Sequence, residues 1–163
     1  MQKEALIIID IQNDITKNYK DVIGNINRAI DWAVKNNVNV VYIRHENLSA
    51  GSRVLKPNTF GSKLATDLKV ATENIFTKSK SNALTSEDFK DFIEKNEVSN
   101  YYITGADATI CVKSTCFNLR KAKYAVNVLS DCITSWNKKK IPEMLAYYES
   151  IGCKNICLKD ILV

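Results

Sequence analysis

The chain has 163 residues, 45% of them apolar and 25% charged, with a formal net charge of +5. That size and balance suit one soluble globular domain spanning residues 1–163, with room for a full hydrophobic core. The lysines are dispersed, and the densest run is only Lys138 to Lys140, so the basic excess reads as a solvated face and not as a nucleic-acid footprint.

Strand and helix patterns alternate along the chain. Residues 4–11, "EALIIIDI", form a continuous apolar run, as expected of a strand buried on both faces of a parallel sheet. The run is broken by Asp10 and is too short for a signal segment or a membrane span. Residues 13–37 predict a helix, with Val22, Ile23, Ile26, Ala29, Ile30 and Ala33 at helical spacing and Asn36–Asn37 as its stop. Residues 38–45 predict a second strand, followed by a long loop over 46–63 and a short strand over 73–79. Residues 85–97 predict a helix entered through Thr85 or Ser86 as N-cap, with acidic residues in its first turn. A strand over 99–106, a helix over 108–123 and a strand over 124–131 follow. Next come a helix over 141–152, with Pro142 in its first turn and Gly152 at its end, and a last strand within 153–162. The alternation predicts a three-layer α/β/α domain around a mostly parallel sheet of about five to six strands, Rossmann-like in layout.

The five cysteines are an odd number with no signal segment before them, which points to a reducing, cytoplasmic setting and against a disulfide framework. Cys153 and Cys157 lack a second pair at ligand spacing, and His45 is the only histidine, so neither structural zinc nor another cofactor is expected. Cys116, Cys132, Cys153 and Cys157 read as small buried hydrophobes.

In a parallel α/β fold, ligands bind beyond the carboxyl ends of the strands. Four residues stand at such ends: Asp10, Lys78, Cys111 and Asp131. Singly, each has an ordinary explanation as a turn residue, a solvated lysine, a buried thiol or a helix cap. Together, Asp10, Lys78 and Cys111 form a coherent chemical set. A thiol needs a base or a cationic neighbour to become a thiolate, a helix start lowers its pKa, and N–H groups in the preceding turn can hold an oxyanion. Asp10 can serve as the base in place of histidine.

Three separated motifs carry a resemblance. "DIQND" (residues 10–14), "TKSKSNAL" (77–84) and "ITGADATICVKST" (103–115) are similar, in order and spacing, to the motifs of the isochorismatase-like cysteine hydrolases, and "VLSDCITS" (128–135) fits the family's late strand. This superfamily also holds nicotinamidases, N-carbamoylsarcosine amidases and ureidoacrylate amidases. The resemblance implies Cys111 as nucleophile, Asp10 as general base and Lys78 as third member of the triad. It implies a cis Ala106–Asp107 peptide, with the backbone N–H groups of Asp107 and Cys111 as oxyanion hole. It also implies a small-molecule substrate, no membrane or nucleic-acid partner, and a homodimer or homotetramer.

Leu84 and Ile15 stand where the family often has Phe, which alters pocket shape. The loop after the second strand has one histidine and no D-x-H, which argues against a nicotinamidase-type metal site and that activity. The chain is also short for the family, which leaves room for a missing terminal segment. Cys111 favours an amide, carbamoyl or ureido substrate, while a vinyl-ether or ester-type substrate stays open. So does a redox thiol with Cys116 as partner. Gln12, Arg44, Phe60, Ala106 and Trp136 are candidate substrate contacts, Arg44 favouring a substrate carboxylate and Phe60 and Trp136 forming an apolar wall. No G-x-G-x-x-G or P-loop appears, which speaks against a nucleotide-binding domain.

Overall fold

A computed structural model of the chain describes residues 3–162; residues 1, 2 and 163, the outermost of the expected domain, lie outside the described residues. Six strands form one sheet: β1 (Lys3–Ile9), β2 (Asn39–His45), β3 (Ile75–Lys78), β4 (Val98–Gly105), β5 (Ala125–Ile133) and β6 (Lys154–Ile156). All paired strands run parallel, in the order β3-β2-β1-β4-β5-β6. The order reverses direction between β1 and β4, and that switch point opens a crevice at their carboxyl ends.

The helices are α1 (Thr16–Tyr19), α2 (Ile23–Lys35), α3 (Glu87–Lys95), α4 (Cys111–Lys121), α5 (Ile141–Ser150) and α6 (Leu158–Ile161). They cover both faces of the sheet. One core joins α3, α4 and α5 to Ile7, Ile9, Ile103 and Val128, and the other joins α2 and α6 to Leu6, Ile8, Tyr42 and Leu129. Alternation along β1 feeds one isoleucine to each core in turn, which is why its apolar run has no polar gap. Among the described residues, no helix is long and apolar enough to cross a membrane.

Three local differences from the predicted elements have visible causes. The helix expected over 13–37 is broken into α1 and α2, flanked by single-turn segments, because Asn13 and Asp14 bond instead to the loop after β2. The helix after β4 starts at Cys111, not at residue 108, because the Asp107 carboxylate captures the Thr109 N–H and hydroxyl and holds residues 107–110 as a turn. The last segment is a three-residue strand followed by α6, at whose start the Leu158 N–H donates to the Asp131 carboxylate and the N–H of the preceding Cys157 donates to Asp160. Ser86 caps α3, accepting from the Phe89 N–H at 3.4 Å.

Candidate active site

Asp10 leaves β1 with φ 55, a left-handed turn that Asp tolerates better than most residues. Its N–H still donates to Ile43 O at 2.9 Å, so the backbone stays stitched to β2 while the carboxylate turns into the crevice. Lys78 ends β3, and the parallel register makes His45, at the end of β2, its direct cross-strand neighbour. Cys111 opens α4 after the turn that follows β4.

That turn is closely built. Gly105 has φ 114, and a Cβ there would lie 2.1 Å from Ile9 O, so only glycine lets β4 pass this close to β1. The Ala106–Asp107 peptide is cis. Ala106 N–H donates to Ile9 O, Ala108 N–H to Thr134 O, and the Ile110 and Val112 N–H groups to Asp107 O. The Asp107 carboxylate accepts from Thr109 on one oxygen, and from the Tyr19 hydroxyl and the Trp136 N–H, each at 3.0 Å, on the other. Burial alone would raise this carboxyl; the donated hydrogen bonds outweigh it and hold the group below its ordinary value. Among the described residues, neither the Asp107 N–H nor the Cys111 N–H meets a protein acceptor.

Asp10 and Lys78 are buried, and Cys111 is partly buried. Lys78 Nζ donates to Asp10 Oδ2 at 3.0 Å, to His45 Nδ1 at 2.9 Å and to Cys111 Sγ at 3.4 Å. The other oxygen of Asp10, Oδ1, is buried without a hydrogen-bond partner in the structure. A carboxylate oxygen, an imidazole nitrogen and Sγ from Asp10, His45 and Cys111 lie within 4.8 Å of one another. Such a trio could serve a metal ion elsewhere; here the Lys78 ammonium binds all three residues and supplies the local positive charge. Burial pushes the Cys111 thiol up to about 12, the Asp10 carboxylate adds to the rise and Lys78 opposes it. At this thiol, desolvation and the Asp10 carboxylate together outweigh the Lys78 charge.

A cavity of about 140 Å³ opens onto these groups. Asp10, His45, Asp107 and Cys111 form its polar wall, and Ile15, Tyr19, Leu55 and Ile110 the rest. A larger depression of about 370 Å³, lined by Arg28, Asp31, Trp32 and Lys35, lies toward the amino ends of the strands and holds no nucleophile.

The five candidate substrate contacts do not line the cavity, and each is accounted for differently. Gln12 is fully buried; its amide donates to His45 O and Ser62 O and accepts from the His45 N–H, so it bolts β2 to the long loop. Arg44 is spent on Ser62, Thr77 and Glu46, which removes the cation expected for a substrate carboxylate. Ala106 is buried in the core. Phe60 and Trp136 are exposed, at 65% and 66%, and form no wall. Asp131 caps α6 and Cys116 is buried against Cys153, away from Cys111.

Sequence reasoning passed over Tyr19, Leu55 and Ile110, which line the cavity from three separate segments. It also passed over Thr115, whose hydroxyl accepts from the Ala83 N–H at 3.0 Å and clasps the segment after Lys78 to α4. Thr115 and Ala83 sit inside quoted motifs, so the signal was present there; for Tyr19 there was none.

Residues 4–158 match the family model described as the isochorismatase domain. An uncharacterized isochorismatase family protein of Bacillus subtilis, YrdC, is 23% identical over 164 residues, covering 96% of this chain and 86% of that protein. The pyrazinamidase of Pyrococcus horikoshii, solved in complex with zinc, superposes with a TM-score of 0.85 at 22% identity, covering 95% of this chain and 99% of its own. The N-carbamoylsarcosine amidase of Thermoplasma acidophilum superposes with a TM-score of 0.86 at 17% identity, covering 99% and 100%. With the match running through nearly every strand and helix described above, the chain belongs to the isochorismatase family of hydrolases.

Proposed function

We propose that the protein is a cysteine hydrolase that cleaves a small amide, carbamoyl or ureido C–N bond, with Cys111 as nucleophile, Asp10 as base and Lys78 as the third member of the triad. The observation that carries this reading is the division of labour on Asp10. Oδ2 is held by Lys78 and Oδ1 is buried and unpartnered, while a carboxylate oxygen of Asp10 lies within 4.8 Å of the Cys111 Sγ. An unpaired buried carboxylate oxygen is costly to keep unless it has a proton to receive. A thiol pushed up to about 12 is protonated at neutral pH and needs such an acceptor during attack.

Cys111 Sγ attacks the substrate carbonyl carbon as its proton passes to Asp10 Oδ1. The oxyanion rests on the N–H groups of Asp107 and Cys111, which are not taken by protein acceptors. The C–N bond breaks, Asp10 returns the proton to the departing ammonia or amine, and a thioester remains. Water, deprotonated by Asp10, then cleaves the thioester, and the proton returns to the thiol. Lys78 keeps the Asp10 carboxylate oriented and offsets charge on sulfur. The 140 Å³ cavity limits the substrate to a small molecule, and its Ile15, Leu55 and Ile110 wall favours an apolar, uncharged body. A cytoplasmic location and assembly as a dimer or tetramer complete the proposal.

The test is a screen of small amides, carbamates and ureides, with the acyl-enzyme trapped by mass spectrometry. Cys111→Ala is expected to abolish turnover and carbamidomethylation at that position. Full hydrolase activity in Cys111→Ala, or a Cys116 that labels faster than Cys111, overturns the assignment.

A further inference from the structure

Lys78 poses a problem that the triad alone does not solve. Its ammonium has three N–H donors and its side chain is fully buried, so no water shell can satisfy them. Asp10 Oδ2 takes one and Cys111 Sγ, a weak acceptor at 3.4 Å, takes another. The third goes to His45 Nδ1 at 2.9 Å. His45 Nε2 lies 2.9 Å from Asn47 Oδ1, which can only accept. These two partners assign the tautomer: the proton sits on Nε2, and Nδ1 presents its lone pair to Lys78. The His45 main chain is held in turn, its N–H and C=O both bonded to the buried Gln12 amide. The imidazole is thus fixed at both ring nitrogens and at its backbone, and it also faces the cavity.

We propose that His45 is a positioning residue for this site, a neutral acceptor that fixes the Lys78 ammonium between Asp10 and Cys111. The inference rests on the triad reading above. With His45 in place, Lys78 has its full set of partners and no reason to turn; without it, a buried ammonium is left one acceptor short. It then moves toward another acceptor, and the weakest of its bonds, the one to Cys111, is lost first. The groups that face the ring are Lys78 from β3, Asp10 from the exit of β1, Cys111 from α4, and Asn47 and the Lys80 backbone beside it. Burial first, and Lys78 second, hold the imidazole below its ordinary value, so it stays neutral through the neutral range despite the opposing pull of Asp10.

The chemistry of replacement separates positioning from packing. In an asparagine at position 45, Oδ1 falls close to where the imidazole Nδ1 lies, so the acceptor is retained. Leucine fills similar space with no acceptor, and glutamine places its acceptor out near Nε2. The test is the pH–rate profile of carbamidomethylation of Cys111 by iodoacetamide, read on the Cys111 peptide by mass spectrometry, in His45→Asn, His45→Leu and His45→Gln of the full chain. Thermal melting reports the folded fraction.

His45→Leu and His45→Gln are expected to react about tenfold more slowly at a given pH, with the profile moved up by about one pH unit. His45→Asn is expected to keep the native profile. If Leu and Gln variants that melt normally alkylate like the native chain, or if Asn slows as much as Leu, the inference is wrong. The readout needs no substrate. Hydrolysis that survives Cys111→Ala sinks the triad reading alone, whereas normal alkylation in the His45 variants sinks only the role of His45.

Discussion

The middle of β1 and its carboxyl end are equally dry and behave as opposites. Leu6, Ile7, Ile8 and Ile9 are fully buried, and Asp10, one residue on, is only 4% exposed. Lys78 and Asp107 are comparably buried, at 3% and 5%. In the strand, burial is itself the stabilising event, and any apolar side chain of similar volume would serve. At the exit, burial is a cost that polar atoms offset through particular partners: Lys78 for Asp10 Oδ2, His45 for Lys78, Tyr19 and Trp136 for Asp107, with Asp10 Oδ1 left without one. Low exposure does not tell core from site here. What tells them apart is whether a buried atom is interchangeable.

The sharpest way to break that contrast is Asp10→Asn. It keeps the shape at the strand exit and removes the base, so turnover of a substrate found in the amide screen is expected to fall by about 10²- to 10⁴-fold. Steady-state kinetics checks this, and a fall of less than about tenfold would remove Asp10 from the base role. Ile8→Ala tests the other region. It opens a cavity against Ile26, Ile30 and Tyr42 and is expected to cost about 2 to 5 kcal/mol in urea unfolding, with the rate per folded molecule unchanged.

Asp107→Asn weakens the turn between β4 and α4 and changes its acid sensitivity. The folded pKa of Asp107 lies below its ordinary value of 3.8, so its contribution is full above pH 3.8 and is lost as pH falls through the lower folded value. Melting curves of the native chain and Asp107→Asn are therefore expected to differ by about 1 kcal/mol at neutral pH and to converge in strong acid. The smallest effect belongs to Phe60→Ala. The side chain is two-thirds exposed and lines no part of the cavity, so stability is expected to stay within about 0.5 kcal/mol and KM to hold. A large rise in KM would restore Phe60 as a substrate contact.

Much of the fold was legible because it is written locally. The unbroken apolar run of residues 5–9 announces a strand covered on both faces. The spacing of Ile23, Ile26, Ala29, Ile30 and Ala33 announces one buried stripe, and all five are buried on α2. Pro142 and Gly152 mark the ends of α5, where the structure has them, Gly152 with φ 94. Boundaries failed where a side chain made a long-range bond in place of a helical one, as Asn13 and Asp14 do with the loop carrying Leu55 and Phe60. The same cause misplaced Gln12. A polar residue two positions after Asp10 looks like a second ligand of the pocket, and nothing local reveals that its amide is consumed by His45 and Ser62.

The sequence by itself determined the alternation of strands and helices, the strand exits as the place to look, and the trio of Asp10, Lys78 and Cys111, because periodicity and strand-end position are properties of neighbours along the chain. Only the tertiary structure decided what surrounds that trio. The β2–β3 register sets His45 beside Lys78, the sheet order brings Asp10 to the crevice next to the turn before Cys111, and Tyr19 reaches Asp107 across 88 positions. Those pairings depend on how strands order and slide against one another, and a one-residue slip of β3 along β2 would turn Lys78 to the opposite face, away from His45.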